Sequence, residues 1–342
     1  ALVAVVVAAA AAAASATETY GEYTASSDVT SHSYIAKDVK EANEELSETP
    51  PDFAAAKTLY TDGKNSQGYS GLRTLQYMAT HSDFSERDLT TSFIDMYGED
   101  WADKYQLAAL DGTGVFDGAS DTKRKVAAKK NMLCITTVYS YRELQDALTK
   151  DTADAKAHSV DEAMAFWYGV PETVSSYEVG VPSSMEVSVK RDKDFDTNTA
   201  QKIKDAMAAA LSAAKADNNA GIESATADAV KGWATTFIQA TLKYAYKMQT
   251  VTPVPEGEWA EGYTYWRCMS GAVYGVDADV ARMVDGLMDV ANASPDAMVY
   301  CKVKEALEGV YTKLGITASD VGAFNGIPSD PCDGIVEDYE EE

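Results

Sequence analysis

Most of the chain mixes apolar and polar positions in segments long enough for helices, and Ala is used heavily throughout. Runs in which β-branched and polar residues alternate, the pattern of strands, are scarce. Gly, Pro, Asn and Asp are the usual residues of turns, and they concentrate in the separators 49–52, 61–71 and 110–118. The pattern therefore predicts a mainly all-α protein.

The helices are predicted between these and similar separators, while residues 18–30, rich in Ser, Thr and Tyr, are predicted to be irregular. The predicted helices cover residues 35–47, 53–60, 71–80, 86–97, 101–110, 122–148, 155–168, 199–216, 223–248, 257–271, 277–292, 296–313 and 317–324.

One segment, residues 171–198, has a different character. Its first part reads PETVSSYEVGVPSSMEVSVKRD, in which Val alternates with polar residues. Alternation with a period of two is typical of strands. We therefore expect a small β-hairpin or an extended insertion here.

An internal repeat is visible when the chain is shifted by 99 residues. The shift places Glu162 on Glu261, and it places Trp167 on Trp266. It predicts a duplicated helical bundle with two lobes, repeat A at 121–217 and repeat B at 218–330. An N-terminal helical segment at 17–120 precedes them.

The two ends of the chain carry sorting and charge signals. Residues 1–16, ALVAVVVAAAAAAASA, form an apolar stretch that ends in the small-x-small pattern of a signal-peptide cleavage site. Sixteen residues are short for a membrane span, which needs about 20 apolar residues, and no later stretch is apolar enough. We expect a secreted protein in a periplasmic or cell-wall space, with residues 331–342 as an acidic tail.

The formal net charge of −25 argues against binding to nucleic acid or to an anionic membrane surface, because both favour Lys and Arg. The same charge attracts cations. Four cysteines in a secreted chain predict two disulfides, with three possible pairings. They are Cys134, Cys268, Cys301 and Cys332.

The most suggestive candidate site lies in the stretch AHSVDEAMAFWYGVP, residues 157–171. His158, Asp161 and Glu162 are three and four residues apart and share one face of a helix. Imidazole and carboxylate groups together are suitable ligands for iron, manganese or zinc. Acidic residues near a helix start also stabilise the helix by themselves, so a surface role is the alternative.

The second repeat offers a matching set in Glu258 and Glu261, again on one helix face. The aromatic residues after both motifs, such as Trp167 and Trp266, are expected to pack in the core rather than stack on a ligand.

A calcium loop is a weaker candidate. Oxygen donors recur at alternate positions, as in a calcium-binding loop, but the Gly and Glu that such a loop requires are missing. The donors are Asp192, Asp194, Asp196 and Asn198.

Enzyme signatures are missing from the sequence: there is no GxSxG, HExxH, phosphate-binding loop or GxGxxG. We therefore expect a protein that is not an enzyme.

Three segments resemble the algal iron-assimilating, low-iron-induced periplasmic protein family. They are LYTDGKNSQ (59–67), GLRTLQYMA (71–79) and AHSVDEAMAFWYG (157–169). The last is also similar, more faintly, to the His-x-x-Glu helix of imelysin-like iron-regulated proteins, although Asp161 stands where that Glu would be. The resemblance implies a secreted protein that helps a cell acquire scarce iron.

Together these observations predict a secreted, acidic protein that binds a metal ion, iron in the first place, and passes it to an uptake partner at the cell surface. His158, Asp161 and Glu162 would form one site or half-site, and Glu258 and Glu261 its equivalent. Two other functions stay open: a non-enzymatic cell-wall or surface protein, and a receptor for a small iron chelate.

Overall fold

A computed structural model of the chain describes residues 18–81, 88–170, 182–327 and 331–332. The predicted signal peptide at 1–16 and residues 333–342 of the predicted acidic tail lie outside these residues.

The described residues are almost entirely helical, which confirms the predicted all-α class. The strands are β1 (Thr19–Tyr20) and β2 (Tyr23–Thr24). The helices are α1 (Thr30–Ser33), α2 (Ile35–Glu45), α3 (Phe53–Asp62), α4 (Leu75–Thr80), α5 (Asp88–Tyr97), α6 (Trp101–Asp111), α7 (Asp121–Ala147), α8 (Ala153–Tyr168), α9 (Ser184–Phe195), α10 (Thr199–Lys215), α11 (Asn219–Thr250), α12 (Glu256–Val276), α13 (Ala278–Met288), α14 (Val299–Glu308), α15 (Tyr311–Leu314) and α16 (Ala318–Val321).

Five long helices form a closed bundle in which each packs on the next, in the order α7, α8, α10, α11, α12 and back to α7. The N-terminal helices α2, α4 and α6 pack on the outside of α7, and α5 packs on α12. Trp167 of α8 and Trp266 of α12 are both fully buried. This agrees with the expectation that the aromatic residues after the two motifs belong to the core.

Glycine allows two of these helix pairs to approach closely. A Cβ added to Gly232 of α11 would lie 2.3 Å from a side-chain carbon of Ile203 on α10. A Cβ added to Gly271 of α12 would lie 2.5 Å from the ring of Phe93 on α5. Both distances are too short for two carbon atoms, so these positions require a residue without a side chain.

Two disulfides are present, as the cysteine count predicts. Cys134 of α7 pairs with Cys268 of α12, and Cys301 of α14 pairs with Cys332. The first disulfide joins two neighbouring helices of the bundle that are 134 residues apart in the chain.

The hairpin that the structure describes lies near the N-terminus, and the described part of the predicted insertion is helical instead. The paired strands are β1 and β2, at residues 19–24, whereas residues 184–195 of the predicted insertion form helix α9. The side chain of Ser183 caps this helix by accepting from the Glu186 amide, and the buried residues include Val187 and Phe195. Helical spacing of the buried residues outweighs the alternation of Val. Residues 171–181 of the predicted insertion lie outside the described residues.

The internal duplication stays a prediction. Helices α7 and α8 pack as neighbours, and so do α11 and α12, but a single bundle runs through both pairs. The predicted boundaries of the two repeats likewise remain untested.

Candidate metal site

Helix α8 presents the predicted ligands from a rigid position. The Thr152 side chain caps its first turn by accepting from the Ala155 amide, and the helix ends at Gly169, where φ is +85°. The buried face of α8, which includes Val160 and Met164, packs into the bundle. His158, Asp161 and Glu162 therefore lie on the flank of α8 that meets the N-terminal segment.

Asp161 is fully buried and binds the N-terminal segment rather than a space for a ligand. Its Oδ1 accepts from the Tyr23 hydroxyl at 2.7 Å. Its Oδ2 accepts from both the backbone amide and the hydroxyl of Ser26 and of Ser27, at 2.8–2.9 Å. Because five donors surround this carboxylate, we interpret Asp161 as the anchor of residues 18–33, which we call the strap.

The strap brings a histidine to α8 that the sequence did not single out. His32, on α1, places Nε2 2.8 Å from Oε1 of Glu162. His158 places its Nε2 3.1 Å from the same oxygen. Two imidazoles therefore converge on one carboxylate oxygen.

A second carboxyl group completes this arrangement. Glu143 of α7 is 7% exposed, and its carboxyl group lies close enough to that of Glu162 to be affected by its charge. We call His32, His158, Glu162 and Glu143 the Glu162 cluster.

The pKa values within the cluster are strongly perturbed. Burial raises the pKa of Glu162, but the hydrogen bonds from His158 and His32 outweigh it and hold the pKa below its usual range. Burial, followed by the charge of Glu162, holds the pKa of Glu143 well above its usual range. The hydrogen bond to Glu162 raises the pKa of His158. Opposite shifts of this kind on neighbouring groups are typical of functional sites.

Aromatic and cationic side chains form the wall behind the cluster. The Phe166 ring lies edge-on to the His32 ring, with centroids 5.6 Å apart, and it also meets the Tyr139 ring at 5.2 Å. The Arg73 guanidinium lies 5.7 Å from the Phe166 ring centroid. This wall limits the access of water to Glu162, whose side chain is 17% exposed.

The predicted equivalent in the second repeat has a different environment. Glu261 pairs with Lys130 at 2.9 Å, and Glu258 pairs with Lys247. The structure therefore places a lysine on each of these carboxylates, and it does not bring a histidine to either one.

Two residues of the candidate calcium loop are engaged in other contacts. Asp192 accepts from the amides of Thr199 and Ala200 at 2.6 and 2.8 Å and so caps the start of α10. Asp194 forms ion pairs with Arg191 and Lys243, each at 2.8 Å.

Sequence reasoning missed His32 and Glu143 for different reasons. His32 lies 126 positions before His158 in a Ser/Thr-rich segment, and spacing along one helix cannot reveal such a partner. Glu143 lies on the buried side of α7, where a lone carboxyl among apolar residues is a usable signal.

Within the described residues, no group of three or more His, Cys, Asp or Glu side chains is already arranged around a metal position. The donors of the Glu162 cluster instead hydrogen-bond to one another.

The family model Fea1, described as low iron-inducible periplasmic protein, matches residues 1–334. No curated protein and no solved structure matches the chain. None of the described helices is long and apolar enough to cross a membrane.

Proposed function

The chain belongs to the family of low iron-inducible periplasmic proteins, and on this premise we propose that it captures an iron ion outside the cell for uptake. A periplasmic location follows from the family and agrees with the secretion that the sequence predicts. The proposed ligands are His32, His158 and Glu162. In this proposal the protein is a carrier of the ion and not an enzyme.

The observation that carries the proposal is the convergence of His32 and His158 on Glu162. With metal–ligand bonds of about 2.1 Å at right angles, neighbouring donor atoms lie about 3.0 Å apart. The two imidazole Nε2 atoms are 2.8 and 3.1 Å from the Glu162 oxygen. Each imidazole nitrogen is therefore already at about the distance from the Glu162 oxygen that a shared ion would impose, although the three groups are not yet arranged around one metal position.

The composition of the cluster suits iron. Two histidines and one carboxylate on a face with open positions are a known ligand set for non-haem iron. Glu143 supplies a fourth ligand once it gives up its proton, and the negative charge of the chain, −25 at neutral pH, draws cations toward the site.

We expect one ion per chain rather than two. The lysines that pair with Glu258 and Glu261 already supply positive charge there, so an ion would have to displace Lys130 or Lys247. The purified chain would be loaded with ferrous or ferric iron, desalted, and measured by elemental analysis. A stoichiometry near two would show that the second set also binds, and the absence of retained iron would refute the proposal.

Metal affinity is expected to fall as the pH falls. An ion that binds to Nε2 of His158 must replace a proton. Because Glu162 raises the pKa of this imidazole, protons compete with the ion up to a higher pH than they do at an ordinary histidine. Below that pKa, each displaced proton lowers the apparent affinity roughly tenfold per pH unit.

Titration against a chromophoric chelator between about pH 5 and pH 8, the range in which histidine changes charge, measures this slope. An affinity that stays constant over the whole range would exclude His158 as a ligand.

A further inference from the structure

His158 has a second ring nitrogen, and its environment is unusually well defined. Nδ1 lies 2.8 Å from the hydroxyl oxygen of Ser27 on the strap. The same hydroxyl lies 2.8 Å from Oδ2 of Asp161. Asp161, Ser27 and His158 thus form a continuous chain of hydrogen bonds that begins at a fully buried carboxylate.

The direction of this chain follows from what each group can donate. A carboxylate only accepts hydrogen bonds, so the single hydrogen of the Ser27 hydroxyl points at Asp161. The Ser27 oxygen can then only accept from His158, and Nδ1 of His158 must therefore carry a hydrogen. While the ring is protonated, Nε2 also carries a hydrogen and donates it to Glu162; when the ring is neutral, the hydrogen that faces Ser27 stays on Nδ1, and Nε2 is the nitrogen left without one.

We propose that Ser27 and Asp161 are positioning residues that hold the hydrogen of His158 on Nδ1 and so reserve Nε2 for the metal ion. This inference rests on the proposed function for its purpose, but the position of the hydrogen is a property of the metal-free protein. Histidine ligands are commonly oriented in this way, by a partner on the nitrogen that does not bind the metal.

The alternative tautomer would make Nε2 of His158 unavailable to a metal ion. If the hydrogen of neutral His158 were on Nε2, it would donate to Glu162, and the two ligands would satisfy each other. His32 shows the contrast, because in the described structure its Nδ1 is buried without a hydrogen-bond partner. The chain of hydrogen bonds from Asp161 through Ser27, which we call the relay, thus reaches His158 and not His32.

The chain contains a matched control for Ser27. Ser26 is the preceding strap residue, and its hydroxyl donates to the same Asp161 oxygen at the same 2.8 Å. Among the described residues, the Ser26 hydroxyl hydrogen-bonds to Asp161 and not to His158. Ser26→Ala and Ser27→Ala therefore remove equivalent hydrogen bonds from Asp161, but only Ser27→Ala frees Nδ1 of His158.

The first test is nitrogen NMR of the histidine rings in the metal-free full chain, at a pH above the titration of His158. The unaltered protein and Ser26→Ala are expected to show the Nδ1–H tautomer at His158, and Ser27→Ala the Nε2–H tautomer. An Nε2–H tautomer in the unaltered protein, or no change in Ser27→Ala, would overturn the relay whether or not the protein binds iron.

The second test measures affinity for ferrous ion in the same three proteins. Loss of such a partner typically weakens metal binding about 10- to 100-fold, so we expect this loss in Ser27→Ala and less than about threefold in Ser26→Ala. Equal losses would reduce Ser27 to a structural contact of the strap. If the unaltered protein retains no iron while NMR shows the Nδ1–H tautomer, the relay stands and the proposed function fails.

Discussion

Replacing Glu162 by glutamine is expected to abolish retention of iron, with a fall in affinity of more than about 100-fold. Substitution of a group that merely supports a ligand costs about 10- to 100-fold, and Glu162 is the group on which both imidazoles converge. Glutamine keeps the size of the side chain but removes its negative charge and one oxygen. The measurement is iron per chain after desalting, together with affinity from chelator competition.

Glu261→Gln is the matched control for this experiment. Glu261 holds the equivalent position in the predicted second repeat, and its side chain is 20% exposed, against 17% for Glu162. We expect this variant to keep its iron, because Glu261 faces Lys130. If both variants lost iron equally, or if only Glu261→Gln did, the proposed site would be in the wrong place.

Replacing Asp161 by alanine is expected to lower the free energy of unfolding of the metal-free protein by about 1.5–3 kcal/mol, because the hydrogen bonds that it accepts as a charged group are lost. Five hydrogen bonds from Tyr23, Ser26 and Ser27 end on this carboxylate. The buried Tyr23 hydroxyl would be left without an acceptor, which is costly, whereas the exposed Ser26 can turn to water. Urea unfolding measures the change.

The control for Asp161→Ala is Asp154→Ala, which removes an exposed aspartate from the first turn of the same helix. We expect that variant to change stability by less than about 1 kcal/mol. The comparison also separates two roles of Asp161. If Asp161 served only as a metal ligand, its removal would leave the stability of the metal-free protein unchanged.

Much of the fold could be predicted from the chain, because its helices are long and bounded by clear turn residues. Segment 184–195 was the exception: alternating Val suggested strands, but burial of Val187 and Phe195 on one face favours a helix. Local alternation is a weak signal when the surrounding bundle offers a groove for a helical face.

The candidate site could be predicted only in part, for a physical reason. Residues on one helix, such as His158 and Glu162, share a face whatever the rest of the fold does, so their spacing is informative. The roles of Asp161 and His32 depend on where the strap docks, and nothing local to either residue specifies that. Lys130 likewise reaches Glu261 from α7, a different helix.

The docking of the strap also has a consequence for how the protein folds. The contacts that fasten it to α8 join residues 130–138 positions apart in the chain, and contacts of such long range slow folding. The strap is synthesised before most of the protein, yet it has no docking surface until α8 has followed. A nascent chain that ends before α8 therefore lacks the Glu162 cluster, and the cluster is completed only when the strap docks on the finished helix.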